Sequence, residues 1–316
     1  MKIATLTLNP AIDRTMYVKN NVKTGALNRA AAPSVTTVGG KGTNVSCVLK
    51  ILGMESAAYG FIGGDNGDLF LKLLKPYGIT TDFTRTKCDT RMNIKIISSS
   101  GESTEFNESG GPVEPSERGD ILEKIKNAAD ETDLFFMGGS VPSGIEKSIY
   151  KDIIDFGGAK TKFILDCDGE ALKLCMSSEK KPYIIKPNQF ELEQYCGKKF
   201  DLDNNFEAGM RGIKKEAGKI YDNTGTAVLC TLGKYGGLCC GRFGIFYTPA
   251  PKVDVKGFTG AGDTFLAAFI YFITKGKNEE ESLRFAVAAS AAKVTKPGTE
   301  FASADEILKI YEKINK

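Results

Sequence analysis

The sequence contains no histidine. That absence removes Ser-His-Asp triads, Cys-His pairs and H-E-x-x-H zinc sites. Proton transfer must therefore fall to a carboxylate, lysine, tyrosine or cysteine. No run approaches the roughly 20 apolar residues of a membrane span. The opening "MKIATLTLNPAIDRT" reads as a first strand and not as a signal peptide, so a cytoplasmic protein without a membrane partner is expected. An excess of either charge is also lacking. Lys and Arg number 42 against 39 Asp and Glu, a net +3, which argues against a broad nucleic-acid footprint. The eight cysteines include no C-x-x-C pair and read as reduced, mostly buried thiols. Two phosphate fingerprints are missing as well: G-x-x-x-x-G-K-[ST], and G-x-G-x-x-G after a strand.

What is present is an alternation of strands and helices over 316 residues. A strand is expected at 2–9, a helix at 43–52 closed by Gly53, a strand in "SAAYGFIG", and a helix at 65–77. From residue 114 the pattern becomes regular. Helices at 114–130, 146–156, 169–177 and onward to about 219 separate the strands "DLFFMGG", "KFILDCD", "YIIKPN" and "TAVLCTLG". A hairpin in "GGLCCGRFGIFYT" and helices at 263–275, 279–295 and 303–314 complete the chain. Ser303 with Glu306, and Asn278 with Glu281, read as N-caps with a reciprocal acid three residues on. Such alternation means an α/β fold, a mostly parallel sheet covered on both faces. Extended pieces at 14–37 and 90–107 interrupt it. They suit a small second sheet, a lid near 13–37 and 90–107, on a single domain spanning 1–316.

Several segments could carry chemistry. "VGGKGTNVS" sets Gly39, Gly40 and Lys41 before a helix, an arrangement that suits an anion or hydroxyl, or simply a tight turn into a helix with a solvated lysine. "GAGD" places the helix-start amides of Gly260, Ala261 and Gly262 beside Asp263, itself either functional or an ordinary helix-start acid. "IIKPNQFELE" gathers Lys186, Asn188 and Glu191 at a strand end, where Asn and Glu oxygens suit a hydrated magnesium ion or cap a helix. "TLGKYGG" offers Thr231, Gly233 and Gly236 on the nucleotide side, or an ordinary turn. Asp13 can accept from sugar hydroxyls and Arg91 can pair bidentately with a phosphate, or each is part of an ordinary surface ion pair. Together these features suit phosphoryl transfer, in which positioning and charge stabilisation dominate.

Ten motifs in order, "TLNPAID", "GGKGTNVS", "GFIGGDNG", "TRMNIKI", "TEFNESG", "GSVPSG", "LDCDGEAL", "IKPNQFELE", "TLGKYGG" and "GAGDTF", give the chain its resemblance. It resembles the ribokinase-like sugar kinases of the phosphofructokinase-B type, in particular the branch of 1-phosphofructokinases and tagatose-6-phosphate kinases. The resemblance implies a three-layer α/β/α fold with a β-sheet lid, and dimers paired across that lid. It implies ATP and Mg2+ as cofactors and a sugar phosphate as the acceptor. Asp263 is then the base facing the sugar hydroxyl, with Gly260, Ala261 and Gly262 as the anion hole. Asp13, Gly39, Gly40 and Asn44 match sugar contacts, and Lys41 and Arg91 hold the phosphate already on the substrate. Lys186, Thr231, Gly233 and Gly236 lie on the nucleotide side, with Asn188 and Glu191 linked to magnesium.

"TRMNIKI" and "TEFNESG" look more like 1-phosphofructokinases, so fructose 1-phosphate is the expected acceptor. Tagatose 6-phosphate or fructose 6-phosphate is the alternative, and a non-catalytic sugar-phosphate-binding regulator the second. Many relatives place side-chain oxygens before the GAGD turn, in a loop that binds a monovalent cation. Gly257 and Phe258 stand there instead, so potassium activation is not expected. The helix dipole should keep Asp263 ionised and weakly basic, taking the proton late.

Overall fold

The computed structural model describes residues 1–315. Two sheets organise them. The larger has nine strands in the order β13-β12-β11-β10-β9-β8-β1-β4-β5. These are β1 (Ile3–Thr7), β4 (Ala57–Gly63), β5 (Thr80–Thr86), β8 (Leu134–Gly138), β9 (Lys162–Asp166), β10 (Ile184–Ile185), β11 (Ala227–Thr231), β12 (Gly237–Gly241) and β13 (Gly244–Thr248). The pairs from β5 to β11 are parallel, and the final hairpin is antiparallel. The smaller sheet has the order β3-β2-β6-β7, from β2 (Ala11–Val18), β3 (Val35–Gly39), β6 (Arg91–Ser98) and β7 (Ser103–Asn107).

Parallel strands need crossovers, and helices supply them. They are α1 (Lys41–Ile51), α2 (Gly64–Leu74), α3 (Pro115–Glu131), α4 (Ile149–Phe156), α5 (Gly169–Ser177), α6 (Gln189–Cys196), α7 (Phe206–Thr224), α8 (Ala261–Thr274), α9 (Glu279–Val294) and α10 (Ala304–Ile314). Alternate strand residues feed two cores. Leu6, Phe135, Met137 and Leu165 pack with α3, α4, α5 and α7 on one face. Ile3, Leu134, Phe136 and Ile164 pack with α1, α8, α9 and α10 on the other. The result is three layers, α/β/α, with the small sheet at one edge. From β1 the chain first adds strands toward β5 and later toward β11, so the order reverses at β1 and β8. Ligands bind outside the carboxyl ends of strands at such a point.

The local differences from the sequence reading have physical causes. β5 was not expected. Its "TTDFTRT" is polar, and as the edge strand it exposes most of its side chains, so no apolar alternation marks it. Of the extended stretch at 14–37 the first residues form ladder pairs within β2 and the last within β3, and between them only one isolated bridge joins Ala30 to Val18. β10 is two residues long because Pro187, which has no N–H, follows almost at once. α1 and α8 each start two residues earlier than expected, at Lys41 and Ala261, since glycines at +119° and +80° in φ form their N-caps. α7 runs on to Thr224, where Gly225 closes it in the left-handed region. Ser303 and Glu306 form the full capping box. Asn278 caps the Glu281 amide, but the Glu281 carboxylate turns to Lys277 and gives nothing back. All eight cysteines are free thiols, six of them buried. Among the described residues no helix is long and apolar enough to cross a membrane.

α8 carries the GAGD turn and is locked by its apolar side. Leu266 is fully buried among α1, α9 and the sheet. Replacing Leu266 with Ala is expected to cost about 3 kcal/mol of unfolding free energy, measured by urea titration. A loss under ~1 kcal/mol would mean that the site's supporting helix is held some other way.

Candidate active site

The carboxyl ends of β9 and β10 and the starts of α1 and α8 converge on one buried cluster. Its centre is Asp166, the last residue of β9, only 1% exposed. Lys41 Nζ donates to Asp166 Oδ1 at 2.6 Å and to the Asp166 carbonyl at 3.2 Å. Lys186 Nζ lies 3.0 Å from Oδ2, an ion pair without a well-aligned hydrogen bond. Burial alone would push the Asp166 carboxyl up. Lys186 and Lys41 override it and hold the carboxyl below the ordinary range. Burial likewise opposes the charge on Lys41, and Asp166 outweighs it, leaving the lysine's pKa raised. One carboxylate therefore holds two ammonium groups, and the trio carries net positive charge.

Asp263, in the first turn of α8, is 8% exposed and accepts a 2.7 Å hydrogen bond on Oδ2 from Asn44 Nδ2. Burial and the Asp166 charge push its pKa up to about 6, against the opposing pull of Asn44, Lys41 and Lys186. This corrects the dipole-based expectation. Desolvation is the largest cause, and the carboxylate is a better base than an ordinary aspartate while still ionised at neutral pH. Around it, Thr264 N–H bonds the Gly260 carbonyl, and Ala261 N–H is taken by the Phe258 carbonyl. The Gly262 and Asp263 amides have no hydrogen-bond partner among the described residues. The Gly260 amide likewise has none, so of the four N–H groups from Gly260 to Asp263 only that of Ala261 is taken. A Cβ at Gly262 would lie 3.4 Å from Lys186 Nζ, so the lysine faces the turn directly.

A second cluster adjoins the first through Gly39 and Gly40. Asp13 is held by Asn93 Nδ2 at 2.8 Å across the small sheet. Burial raises its pKa; Asn93, Arg91 and Lys95 oppose this. A Cβ at Gly39 would lie 2.5 Å from Asp13 Oδ2, and one at Gly40 would meet Thr7 Cγ2 at 2.5 Å, so neither position has room for a side chain. Arg91 spends its Nε on the Asn9 carbonyl and its Nη1 on the Glu108 carbonyl and Asn93. A bidentate fork toward a ligand phosphate is therefore not free, and only Nη2 remains. Lys41, expected beside the substrate's own phosphate, is instead drawn to Asp166 near Asp263.

On the nucleotide side, Asn188 and Glu191 form a reciprocal capping box at the start of α6. Each thus commits one oxygen to the backbone. Thr231 bridges to Asn188 across neighbouring strand ends. Gly233 has open space on its Cβ side. Gly236 does not, because a Cβ there would lie 2.0 Å from the Thr248 carbonyl, so that glycine serves the hairpin's packing. Gly257 and Phe258 offer no side-chain oxygen, and Phe258 is exposed. Asp166 and Asn93 were missed in the sequence. The carboxylate ending "FILD" at the strand's ligand edge was the available signal for Asp166.

A buried carboxylate aligned by Asn44, the unpartnered amides at the start of α8 and two lysines are the kind of groups that moving a phosphoryl group onto a hydroxyl requires. Comparison with known proteins agrees. The pfkB family carbohydrate kinase pattern matches residues 6–306. The chain is 34% identical to the 1-phosphofructokinase of Borreliella burgdorferi, covering 93% of this chain and 92% of that one. It is 31% identical to the 1-phosphofructokinase of Bacillus subtilis over 92% and 91%. The crystal structure of phosphofructokinase-2 from Escherichia coli in complex with substrates and products superposes with a TM-score of 0.91 at 26% identity, covering 100% of both chains. The chain belongs to the pfkB family of carbohydrate kinases, with the ribokinase-like fold, and is an ATP-dependent sugar-phosphate kinase.

Removing the central charge tests the cluster. Asp166→Asn should destabilise the fold by about 3 kcal/mol, since the buried Lys186 and the half-buried Lys41 lose their counter-ion. It should also move the acid limb of kcat/KM below the pH of about 6 set by Asp263, because the Asp166 charge is one of the causes that hold that pKa up. A pH–rate profile reads this. An acid limb that stays put or rises would show that Asp166 does not act on Asp263.

Proposed function

We propose that this kinase phosphorylates D-fructose 1-phosphate to fructose 1,6-bisphosphate with ATP. The carrying observation is Asp263, buried beside the free Gly262 and Asp263 amides and oriented by Asn44. In this reading Asp263 takes the proton of the attacking sugar hydroxyl, and its pKa of about 6 suits that task near neutral pH. The amides receive the migrating phosphoryl, and Lys41 and Lys186 flank its path. Asp13 and Asn93 orient the sugar hydroxyls under Gly39 and Gly40. The remaining Arg91 nitrogen and the cleft lined by Asn9, Arg91, Gly110 and Gly111 serve the phosphate already on the sugar. Support for the 1-phosphate over a 6-phosphate sugar is the naming of relatives at 31–34% identity as 1-phosphofructokinases.

Thr231 and Gly233 lie where the nucleotide phosphates would reach. The donor set near them suits magnesium only in hydrated form. No group of three or more acidic, cysteine or histidine residues among the described ones could cage a metal. Glu191 keeps one carboxylate oxygen outside its capping box. Together with retained waters and nucleotide phosphates, that is how this ion is usually held. Asn188 then acts by fixing Glu191. Bound there, magnesium would neutralise phosphate charge.

The small sheet acts as the lid over the sugar, on a chain that forms one kinase domain. Its outer strand β7 is wholly exposed with Phe106 at 58%, an uncovered edge that a second copy would pair with. That supports a homodimer through the lid.

The test compares kcat/KM for fructose 1-phosphate, fructose 6-phosphate and tagatose 6-phosphate under identical ATP and magnesium. Fructose 1-phosphate should lead, and a clear preference for either 6-phosphate would overturn the substrate assignment. In parallel, Asp263→Asn should lower kcat more than tenfold, over about 1.4 kcal/mol in barrier, while ATP binding stays near wild type. Turnover above one tenth would remove Asp263 from the role of base. Sugar-phosphate binding without any ADP release would favour a regulator.

A further inference from the structure

Lys293 has no part in the chemistry above, yet no charged side chain among the described residues is less exposed. It lies in the last turn of α9. Its Nζ donates to the Gly298 carbonyl at 3.0 Å, its one side-chain hydrogen bond among the described residues. A buried ammonium with a single acceptor is unfavourable on its own account. Burial, with some repulsion from Lys95, pushes its pKa down to about 8, and Glu300 pulls the other way. A methionine would fill the same volume without that cost.

The position of the charge explains why a lysine is kept. A Cβ built on Gly260, the N-cap of α8, would lie 3.6 Å from Lys293 Cε. The ammonium's stem therefore runs against the back of the turn that presents the Gly262 and Asp263 amides. Three segments meet there. The amides of Lys256 and Gly257, leading into the turn, donate to the Val294 carbonyl at 2.7 and 3.2 Å. A Cβ on Gly257 would lie 3.3 Å from Gly298 N and O, so the two loops touch backbone to backbone. On its other side Gly298 lies against Thr15 of the small sheet, and Thr299 bonds Thr37. Lys95 of the same sheet bonds both Thr259 and Glu105. The Gly298 loop is thus the joint between the anion-binding turn and the lid, and Lys293 holds its carbonyl from within.

We propose that Lys293 is a positioning residue for phosphoryl transfer. Its ammonium ties the Gly298 loop to the turn at Gly260, and sets a fixed positive charge behind the helix end that receives the transferred group. Lys95 from β6 and Glu300 from the loop are the other charged groups that bear on it. The proposal rests on the reading of Gly262 and Asp263 as the anion site. A phosphoryl group arriving in front of the turn supplies the negative charge that the buried ammonium otherwise lacks.

The test uses the full chain with ATP and whichever sugar phosphate the wild type turns over fastest. Lys293→Met, which keeps volume and removes charge, is expected to lower kcat about tenfold or more. Both KM values should stay within about threefold of wild type, since the charge acts on the transition state and not on substrate capture. Lys293→Ala should lose kcat likewise and recover it with n-propylammonium, but not with the neutral n-propanol. Should the Met variant fail to fold, the Ala variant with the two additives decides. A Met variant retaining kcat within threefold overturns the proposal. So does an Ala variant that n-propanol restores as well as n-propylammonium does, which would make Lys293 a space-filler. A wild type without turnover on any sugar phosphate would instead sink the functional reading.

Discussion

The site depends on one buried carboxylate between two ammonium groups. Asp166 ends a central strand, Lys186 follows the next strand, and Lys41 opens a helix that arrives from the small sheet. Removing Asp166 would leave both ammonium groups without their counter-ion, and an unpaired charge in the interior costs several kcal/mol. The triad therefore fixes three chain segments relative to one another. The excess positive charge it leaves is the property a phosphoryl-transfer site needs.

The lid and the catalytic centre are joined by the same device. Gly39 ends β3 of the small sheet, and two residues later Lys41 is already bound to Asp166. The intervening glycines pass so close to Asp13 and Thr7 that no side chain fits. The small sheet and Lys41 are thereby joined by a short, crowded stretch of backbone. The far side of the lid is tied to the anion-binding turn by Lys95, Thr259 and the Gly298 loop. The small sheet therefore contacts the site at two ends, through Lys41 and through the Gly298 loop.

Much of this was legible in the sequence for physical reasons. Glycines before apolar helical patterns announce helix starts, and α1 and α8 do open at the GGK and GAGD turns. Regular alternation of strand and helix after residue 114 reveals the parallel sheet. What escaped was whatever depends on tertiary distance. Asp166 looks like any strand-terminal acid until Lys41, 125 positions away, is seen on it. The helix dipole argued for an ordinary Asp263. Burial, invisible in a linear pattern, reversed that. Arg91 looked like a free phosphate fork, yet three of its contacts are internal. The polar edge strand β5 carries no periodic signal at all.

The central claim is that Asp263 is a base whose pKa burial, helped by the Asp166 charge, raises to about 6. Carbon-13 NMR of carboxyl-labelled aspartate in the intact enzyme, with Asp263→Asn to assign the resonance, measures it directly. The account predicts a titration midpoint near pH 6. A midpoint near 4, the value of an ordinary exposed aspartate, would contradict it.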